Sequence, residues 1–144
     1  MRADPHAEPQ DEPYARARLL ALDVDGTLTD GRILHSADGD ALSFDVRDGI
    51  ALEWLAEAGV VVAWISGRAS NATLARAKRL RIQEIHVGVA DKRACLRDLQ
   101  ERLSIGTADT LAMGDDLPDL ALAARAAALV APADARAEVR AVAH

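Results

Sequence analysis

Several short apolar runs in this sequence are each followed at once by acidic or hydroxyl residues. Residues 19–22 lead into Asp23, residues 60–65 lead into Ser66, and a third run leads into Asp115. Continuous apolar runs of this length are typical of β-strands that are covered on both faces. The polar side chains would then stand where buried strands end.

The segments between these runs have helical spacing, so strands and helices alternate along the chain. That alternation predicts an α/β fold with a doubly wound parallel sheet. Right-handed crossovers bring the carboxyl ends of the strands to one edge, which is where ligands bind. Helices are predicted for residues 48–58, 70–80, 91–103 and 117–127, with Asp48 and Asp91 as N-caps, and further strands for residues 85–88 and 128–131.

Two segments fall outside this alternation. Residues 30–46 contain two short β-like runs around Asp38 and Gly39, a pair that favours a hairpin turn, so a protruding β-hairpin is predicted there. Residues 1–18 hold three of the five prolines, mixed charges and no apolar period, and are interpreted as a flexible leader. Residues 19–144 are predicted to form one domain.

Composition excludes several classes of protein. With a net charge of −6 and no dense cluster of Lys or Arg, the chain is not expected to bind nucleic acid. No apolar run reaches the roughly 20 residues of a membrane span. The single cysteine, Cys95, cannot form an internal disulfide, and the first residues lack the apolar core of a secretory signal. These features favour a soluble protein of the cytoplasm.

The carboxylates predicted at the strand ends suit the hydrolysis of a phosphate monoester. Asp23 would attack phosphorus and form an aspartyl-phosphate, with Mg²⁺ bridging its carboxylate and the phosphate. Asp25 lies two residues later on the same side of an extended chain, so its carboxyl could serve as acid and base while its backbone carbonyl binds the metal. Asp115 would supply a further metal ligand.

The phosphate itself needs hydrogen-bond donors and positive charge. Ser66 and the adjoining backbone amide of Gly67 would donate to phosphoryl oxygens, and Lys92 would balance the charge of nucleophile and phosphate. Lys92 is one of only two lysines and stands at a predicted helix start, where the helix dipole disfavours a cation. Asp116 and Asp119 could hold the waters of the metal and orient Lys92.

Each of these features also has a purely structural interpretation, as a turn, a strand-to-helix connection or a helix cap. Their occurrence together, in this order, favours catalysis, because acids packed this closely repel one another without a cation. A receiver domain also gathers acids, a hydroxyl and a lysine at a sheet edge. It requires its phosphoacceptor Asp at the end of a middle strand, and Ser66 occupies that place. A non-catalytic homologue that binds a sugar phosphate or a partner is the remaining alternative.

Four segments resemble the four motifs of the haloacid dehalogenase superfamily of phosphotransferases: residues 22–31, 65–68, 91–92 and 114–119. Within it the chain is similar to the 3-deoxy-D-manno-octulosonate 8-phosphate phosphatases, whose pattern includes the stretch matched by residues 44–49. The resemblance implies a Rossmann-like core, a Mg²⁺-dependent phosphatase of lipopolysaccharide biosynthesis and the roles given above.

The sequence departs from this family in two ways. Thr27 stands where the family more often has Val, although Thr is common there in the wider superfamily. Family members usually continue past the position of His144 with a strand and a glycine-rich tail that is associated with closing the active site. The resemblance therefore implies either a shortened or incomplete member or a site that is closed by other means.

The spacing between the motifs leaves no room for a cap domain, because the hairpin, one helix and one strand fill the interval from Asp23 to Ser66. The resemblance implies a homotetramer in which the hairpins associate and cover neighbouring active sites. Apolar hairpin residues would lie at that interface; the alternative is a hairpin that folds back on its own domain. These residues are Ile33, Leu34, Leu42 and Phe44.

The substrate is expected to be a phosphorylated keto-deoxy sugar acid, with 3-deoxy-D-manno-octulosonate 8-phosphate first among the candidates. Arg47, Arg68 and His35 are candidates to meet its carboxylate or hydroxyls, since Arg binds carboxylates in a bidentate manner. A nine-carbon sialic-acid-type 9-phosphate or another small sugar phosphate is the alternative substrate, and the sequence does not separate them.

Overall fold

A five-stranded parallel sheet forms the centre of the computed structural model, which describes residues 12–144. The sheet order is β5-β4-β1-β6-β7, and β2 and β3 pair separately as an antiparallel hairpin. The strands are β1 (Leu19–Leu22), β2 (Leu34–Ser36), β3 (Gly39–Ala41), β4 (Val61–Ile65), β5 (Glu84–His86), β6 (Thr110–Met113) and β7 (Ala128–Val130).

Helices cover both faces of this sheet. Between β1 and β4 the chain forms only the hairpin and one helix, so the absence of a cap at this point is confirmed for the described residues. The helices are α1 (Glu12–Arg16), α2 (Val46–Glu57), α3 (Asn71–Arg79), α4 (Lys92–Leu103), α5 (Leu120–Ala123) and α6 (Ala137–Arg140).

Alternate residues of the central strands belong to two different hydrophobic clusters. On one face Ala63 and Ile65 of β4 pack with Leu96 of α4. On the other face Trp64 of β4 packs with Leu52 of α2. Because the strand side chains point alternately to both faces and both are buried, the doubly wound α/β class predicted from the sequence is confirmed.

The hairpin is displaced by one residue from its predicted turn. Ser36 pairs with Gly39, so the two-residue loop consists of Ala37 and Asp38, and Gly39 opens β3 with φ +118°. The Ser36 hydroxyl donates to the Gly39 carbonyl over 2.7 Å and thereby closes the loop. The hairpin therefore exists, with its glycine just after the turn.

Two helix starts differ from the predicted ones. Asp45, not Asp48, caps α2, because its carboxylate accepts the Arg47 amide at 2.8 Å. The segment predicted as one helix over residues 117–127 begins as a 3₁₀ turn at Leu117–Asp119 and continues as the short α5. Pro118 at the start of that turn lacks an N–H and fits this tight geometry.

The predicted leader lies partly outside the described residues, which begin at residue 12. Its C-terminal part contains α1, and the Arg18 amide donates to the Asp109 carbonyl at 2.8 Å. This part of the predicted leader is therefore folded against the domain. None of the helices that the structure describes is both long and apolar enough to span a membrane.

Candidate active site

Three strand ends bring the predicted acidic and hydroxyl residues to one edge of the sheet. Asp23 follows β1, Ser66 follows β4, and Asp115 comes two residues after β6. The Asp23 amide donates to the Met113 carbonyl at 2.9 Å, which extends the β1–β6 pairing past the end of β1. The parallel sheet thus produces the convergence that the sequence predicted.

A buried lysine lies at the centre of the site. Lys92, the first residue of α4, places its Nζ 2.5 Å from Asp23 Oδ1 and 2.7 Å from Asp119 Oδ1. All three side chains are buried, and the carboxylate of Asp91 caps α4 by accepting the Ala94 amide at 2.9 Å. The cation at this helix start is explained by two buried carboxylates that outweigh the unfavourable dipole.

Asp119 is held on both of its oxygens. While Oδ1 accepts from Lys92, Oδ2 accepts the backbone amides of Asp115 and Asp116 at 2.9 and 3.1 Å. Gly114 makes this approach possible, because a Cβ there would lie 2.3 Å from Asp119 Cβ. Asp119 therefore orients Lys92 and has little free lone-pair capacity for another ligand.

Thr27 connects the other two carboxylates. Its hydroxyl lies 3.0 Å from Asp115 Oδ1 and 3.5 Å from Asp23 Oδ2. Gly26, with φ +89°, allows Asp115 to lie directly against the loop, since a Cβ at Gly26 would be 2.1 Å from Asp115 Oδ2. Thr27 thus donates a hydrogen bond within the acidic group.

Burial and mutual repulsion shift the acidity of this group. Burial, with the nearby Asp119 charge, raises the pKa of Asp23 to about 7 although Lys92 opposes the shift. Burial also raises the pKa of Asp115. For Lys92, burial alone would lower the pKa, but Asp23 and Asp119 outweigh it and raise the pKa. Lys92 is therefore held in its charged form. Its single positive charge does not balance the negative charges of the surrounding carboxylates.

The donor set fits a divalent cation with hard oxygen ligands. One oxygen each of Asp23, Asp115 and Asp119 lies within 4.8 Å of the others. Because Asp119 is committed to Lys92 and two amides, Asp23 and Asp115 are the better candidates for ligands. The pKa values of Asp23 and Asp115 are both raised, although Lys92 lies beside Asp23. A bound Mg²⁺ would stabilise the charged forms of both carboxylates.

Ser66 and Gly67 form the loop that faces this group. The Ser66 hydroxyl, which is buried, donates to the Arg68 carbonyl at 3.1 Å and accepts the Arg68 amide at 3.3 Å. Within the described part of the chain, the Gly67 amide has no hydrogen-bond partner, and Gly67 lines the cavity at the sheet edge. The loop can therefore offer a backbone donor to an anion.

Asp25 is bound by an arginine. Arg68 donates through Nε to Asp25 Oδ2 at 3.3 Å and through Nη2 to Asp25 Oδ1 at 2.7 Å. The remaining terminal nitrogen, Nη1, donates to Asp40 Oδ2 of β3 at 2.9 Å. Arg68, predicted as a substrate contact, is thus already engaged by two carboxylates.

A cavity of about 660 Å³ opens above these residues. Its walls combine the acidic and basic groups with small apolar side chains of the β5–α4 and β6–α5 connections. That volume accommodates a small phosphorylated metabolite. The lining residues are Asp23, Asp25, Ser66, Gly67, Arg68, Val89, Ala90, Asp91, Lys92, Asp116, Pro118 and Ala121.

Two predicted site residues have other contacts. Arg47 is exposed, pairs with the helix cap Asp45 at 2.8 Å, and does not line the cavity of its own chain. Asp116 accepts the Leu117 amide at 2.7 Å and has its carboxylate 3.6 Å from Arg136 Nε. The contact with Lys92 belongs to Asp119, so the predicted orienting role does not extend to Asp116.

The sequence analysis missed Asp40 and the bridging position of the Thr27 hydroxyl. Thr27 lies within residues 22–31, and a hydroxyl two residues after Asp25 could have predicted this contact. Asp40 had no signal, because its partner Arg68 is 28 residues away and only the folded hairpin brings the two together.

The chain is similar to known proteins along most of its length. No protein-family model matches it. The chain is 36% identical over 119 residues to the 3-deoxy-D-manno-octulosonate 8-phosphate phosphatase of Haemophilus influenzae, and 37% identical over 119 residues to that of Escherichia coli K12. Each match covers 82% of this chain, which spans 66% and 63% of the length of these relatives.

A solved structure is similar over most of the chain. The 3-deoxy-D-manno-octulosonate 8-phosphate phosphatase of Moraxella catarrhalis superposes with a TM-score of 0.86 at 36% identity. The match covers 92% of this chain and 79% of that protein, whose crystal structure is a complex with a magnesium ion, a phosphate ion and a KDO molecule.

Proposed function

The chain belongs to the 3-deoxy-D-manno-octulosonate 8-phosphate phosphatase family of the haloacid dehalogenase superfamily, and we propose that it is a Mg²⁺-dependent phosphatase for a phosphorylated keto-deoxy sugar acid. One observation carries the proposal: Lys92 is buried between Asp23 and Asp119, beside Asp115, at the floor of an open cavity. A buried cation shared by a nucleophilic carboxylate and an incoming phosphate fits phosphoryl transfer.

The first step would use Asp23 as the nucleophile. A carboxylate oxygen of Asp23 attacks phosphorus, the bond from phosphorus to the sugar oxygen breaks, and an aspartyl-phosphate forms. Lys92 and the Gly67 amide would stabilise the negative charge on the phosphoryl oxygens. Burial of Asp23 excludes bulk water from its carboxylate, which strengthens these electrostatic interactions.

Asp25 would act first as the general acid and then as the general base. In the first step its carboxyl protonates the departing sugar alkoxide, and in the second its carboxylate removes a proton from the attacking water. That water attacks phosphorus, the acyl-phosphate bond breaks, and inorganic phosphate leaves while Asp23 is regenerated. Asp25 lines the cavity at the sheet edge beside Asp23, as this double role requires.

Asp23 and Asp115 would hold Mg²⁺ through their carboxylates, with the backbone carbonyl of Asp25 as a further ligand. When bound, the ion would neutralise the repulsion between these carboxylates and the phosphate dianion. Thr27 donates to Asp115 and keeps one of its oxygens fixed in direction. Asp119 supports the site indirectly by orienting Lys92.

We propose 3-deoxy-D-manno-octulosonate 8-phosphate as the substrate. The Haemophilus influenzae and Escherichia coli relatives carry this phosphatase name, and the Moraxella catarrhalis structure contains KDO. The cavity of about 660 Å³ would also admit a nine-carbon sugar-acid phosphate, so both esters belong in the test.

The proposed assembly is a homotetramer whose hairpins complete neighbouring sites. Leu34 in β2 is 70% exposed, and its burial against a neighbouring subunit would remove this apolar surface from water. Phe44 contributes differently, because its ring stacks on Trp64 of the same chain at a centroid distance of 6.2 Å. Its burial therefore belongs first to the core of its own domain.

The test is phosphate release by the purified protein from a panel of phosphate esters, with Mg²⁺ and with excess chelator. The panel contains the eight-carbon and nine-carbon sugar-acid phosphates, a neutral sugar phosphate and p-nitrophenyl phosphate. We expect the eight-carbon ester to have the highest kcat/KM and the chelator to abolish turnover. No release from any ester by folded, Mg²⁺-loaded protein would instead favour the non-catalytic alternative.

A further inference from the structure

The Arg68 guanidinium joins the hairpin to the proposed acid and base of the same chain. Nε and Nη2 donate to the two oxygens of Asp25, and Nη1 donates to Asp40 Oδ2 at 2.9 Å. The three side chains are 25–29% exposed, so the network is largely shielded from water although the hairpin protrudes. Charge-assisted bonds with this shielding are stronger than ordinary surface pairs.

Asp40 is itself fixed by the hairpin. It is the cross-strand partner of His35, and His35 Nδ1 lies 2.7 Å from Asp40 Oδ1. The other oxygen of Asp40 faces Arg68. Both oxygens are thus engaged, and the direction of the carboxylate follows from the β2–β3 pairing.

Asp25 depends on this arrangement for its orientation. Among the described residues, Arg68 is the only side chain that forms a hydrogen bond with the Asp25 carboxylate. Within residues 12–144, the Arg68 guanidinium in turn is held only by Asp25 and Asp40. Without Asp40, a long flexible side chain and the carboxylate it binds would anchor only each other.

We propose that Asp40 is a positioning residue for the phosphatase reaction: through Arg68 it holds the Asp25 carboxylate in the direction from which protons are transferred. The inference rests on the proposed function in assigning proton transfer to Asp25. It gives the hairpin a role within its own chain, separate from any contact with a neighbouring subunit.

A purely structural role for Asp40 predicts a different result. If the Asp40–Arg68 pair only anchors the hairpin, its loss affects phenyl phosphate and p-nitrophenyl phosphate alike, because neither ester carries a sugar that the hairpin could contact. If it positions Asp25, phenyl phosphate loses more, because phenolate is the more basic leaving group and needs a proton as it departs, whereas p-nitrophenolate does not. The ratio of kcat/KM for the two esters therefore separates the two roles.

The experiment compares Asp40→Asn with Asp38→Asn in the full chain with Mg²⁺. Asp38 lies in the turn of the same hairpin and loses the same charge, but its carboxylate has no hydrogen-bond partner in the described structure. For Asp40→Asn we expect kcat/KM for phenyl phosphate to fall about 10-fold and that for p-nitrophenyl phosphate to change less than about 2-fold. Asp38→Asn should change neither, and Asp40→Glu should restore part of the loss.

A second measurement does not depend on turnover. The Arg68 Nε–H resonance, followed by NMR in substrate-free protein, should exchange with water faster in Asp40→Asn than in wild type and be unchanged in Asp38→Asn. Equal losses for both esters, equal effects of the two variants, or unchanged Arg68 exchange would overturn the inference. If wild type hydrolyses no ester while Arg68 exchange responds as expected, the proposed phosphatase function fails and the role of Asp40 in holding Arg68 stands.

Discussion

The Lys92 cluster lies at the cavity and the hairpin reaches it only through Arg68 among the described residues, and the two regions are built in opposite ways. Lys92, Asp23 and Asp119 are buried, and Asp119 accepts three hydrogen bonds through its two oxygens, one of them from Lys92. The hairpin has three-residue strands, an exposed Leu34 and one guanidinium that joins Asp40 to the site.

The buried Lys92 cluster holds the groups that are proposed to act on phosphorus. The hairpin is the exposed region beside them. Buried carboxylates around a single cation cannot be repositioned without a large energetic cost, so the sheet fixes the groups that act on phosphorus. An exposed hairpin can change its sequence with little effect on the core, which would suit a region that contacts the sugar of the proposed substrate. The following predictions test how sharply the two regions differ.

Loss of the buried lysine should have the largest effect. Lys92→Met leaves two buried carboxylates without their cation, and we expect it to lower the free energy of unfolding by about 3–5 kcal/mol in the absence of Mg²⁺. Lys78→Met is the matched control, because Lys78 is the other lysine and is exposed on α3. Denaturant unfolding measures both; equal stability of the two variants would contradict the account of the cluster.

Mg²⁺ should stabilise the protein in a pH-dependent manner. Burial raises the pKa of Asp23 from 3.8 to about 7, so protonation stabilises the metal-free fold at low pH, and this contribution is lost as the pH rises through 7. A cation replaces that proton, so the increase in Tm caused by Mg²⁺ should grow between pH 5 and pH 8. At 100 times its Kd the ion would add about 2.7 kcal/mol at the upper end.

The matched variant for the metal is Asp115→Asn, which removes one proposed ligand. Its Tm should respond to Mg²⁺ much less than that of wild type at pH 8. A Mg²⁺ effect that is the same at both pH values, or that survives unchanged in Asp115→Asn, would place the ion elsewhere.

Leu34 tests whether the hairpin has a partner. If it is buried between subunits, Leu34→Asp removes about 1.5 kcal/mol of apolar burial per chain and adds a charge, so the tetramer should dissociate. Val142→Asp, at another exposed apolar residue outside the hairpin, should leave the assembly intact. Light scattering decides the result: a wild-type monomer with full sugar-acid phosphatase activity would rule out shared sites.

An ion pair remote from both regions should have the smallest effect. The hydrogen bonds from Arg102 lower the pKa of Glu84, so the pair stabilises the fold above about pH 4.5 and this contribution is lost as the pH falls below that value. Arg102 is about half exposed, so Arg102→Gln should lower the stability at pH 7 less than any of the changes above. The difference from wild type in urea unfolding should shrink on acidification; a constant difference would mean that packing, not charge, is lost.

The sequence predicted the sheet and the convergence of Asp23, Ser66, Lys92 and Asp115 well, because buried strands are continuous apolar runs and parallel topology aligns their ends. Boundaries were less accurate. Asp45 caps α2 where Asp48 was expected, since both acids precede an apolar segment and only the backbone conformation selects between them.

Contacts between distant side chains were beyond prediction from one sequence. Asp119 and Asp116 stand in the same motif, and the choice between them for Lys92 depends on how the 3₁₀ turn at Leu117–Asp119 directs each carboxylate. The pairing of Asp40 with Arg68 depends on the hairpin folding toward the cavity. Neither direction is encoded in residue spacing.

Labelling of the nucleophile identifies the carboxylate that attacks phosphorus. Asp25→Asn protein is incubated with Mg²⁺ and ³²P-labelled acetyl phosphate, whose good leaving group needs no acid, so phosphoryl transfer proceeds while hydrolysis of the intermediate lacks its base. Asp23→Asn in the same background is the control. We expect stable label on Asp23 that is absent from the double variant; label on another residue, or none on folded Asp25→Asn protein, would exclude Asp23 as the nucleophile.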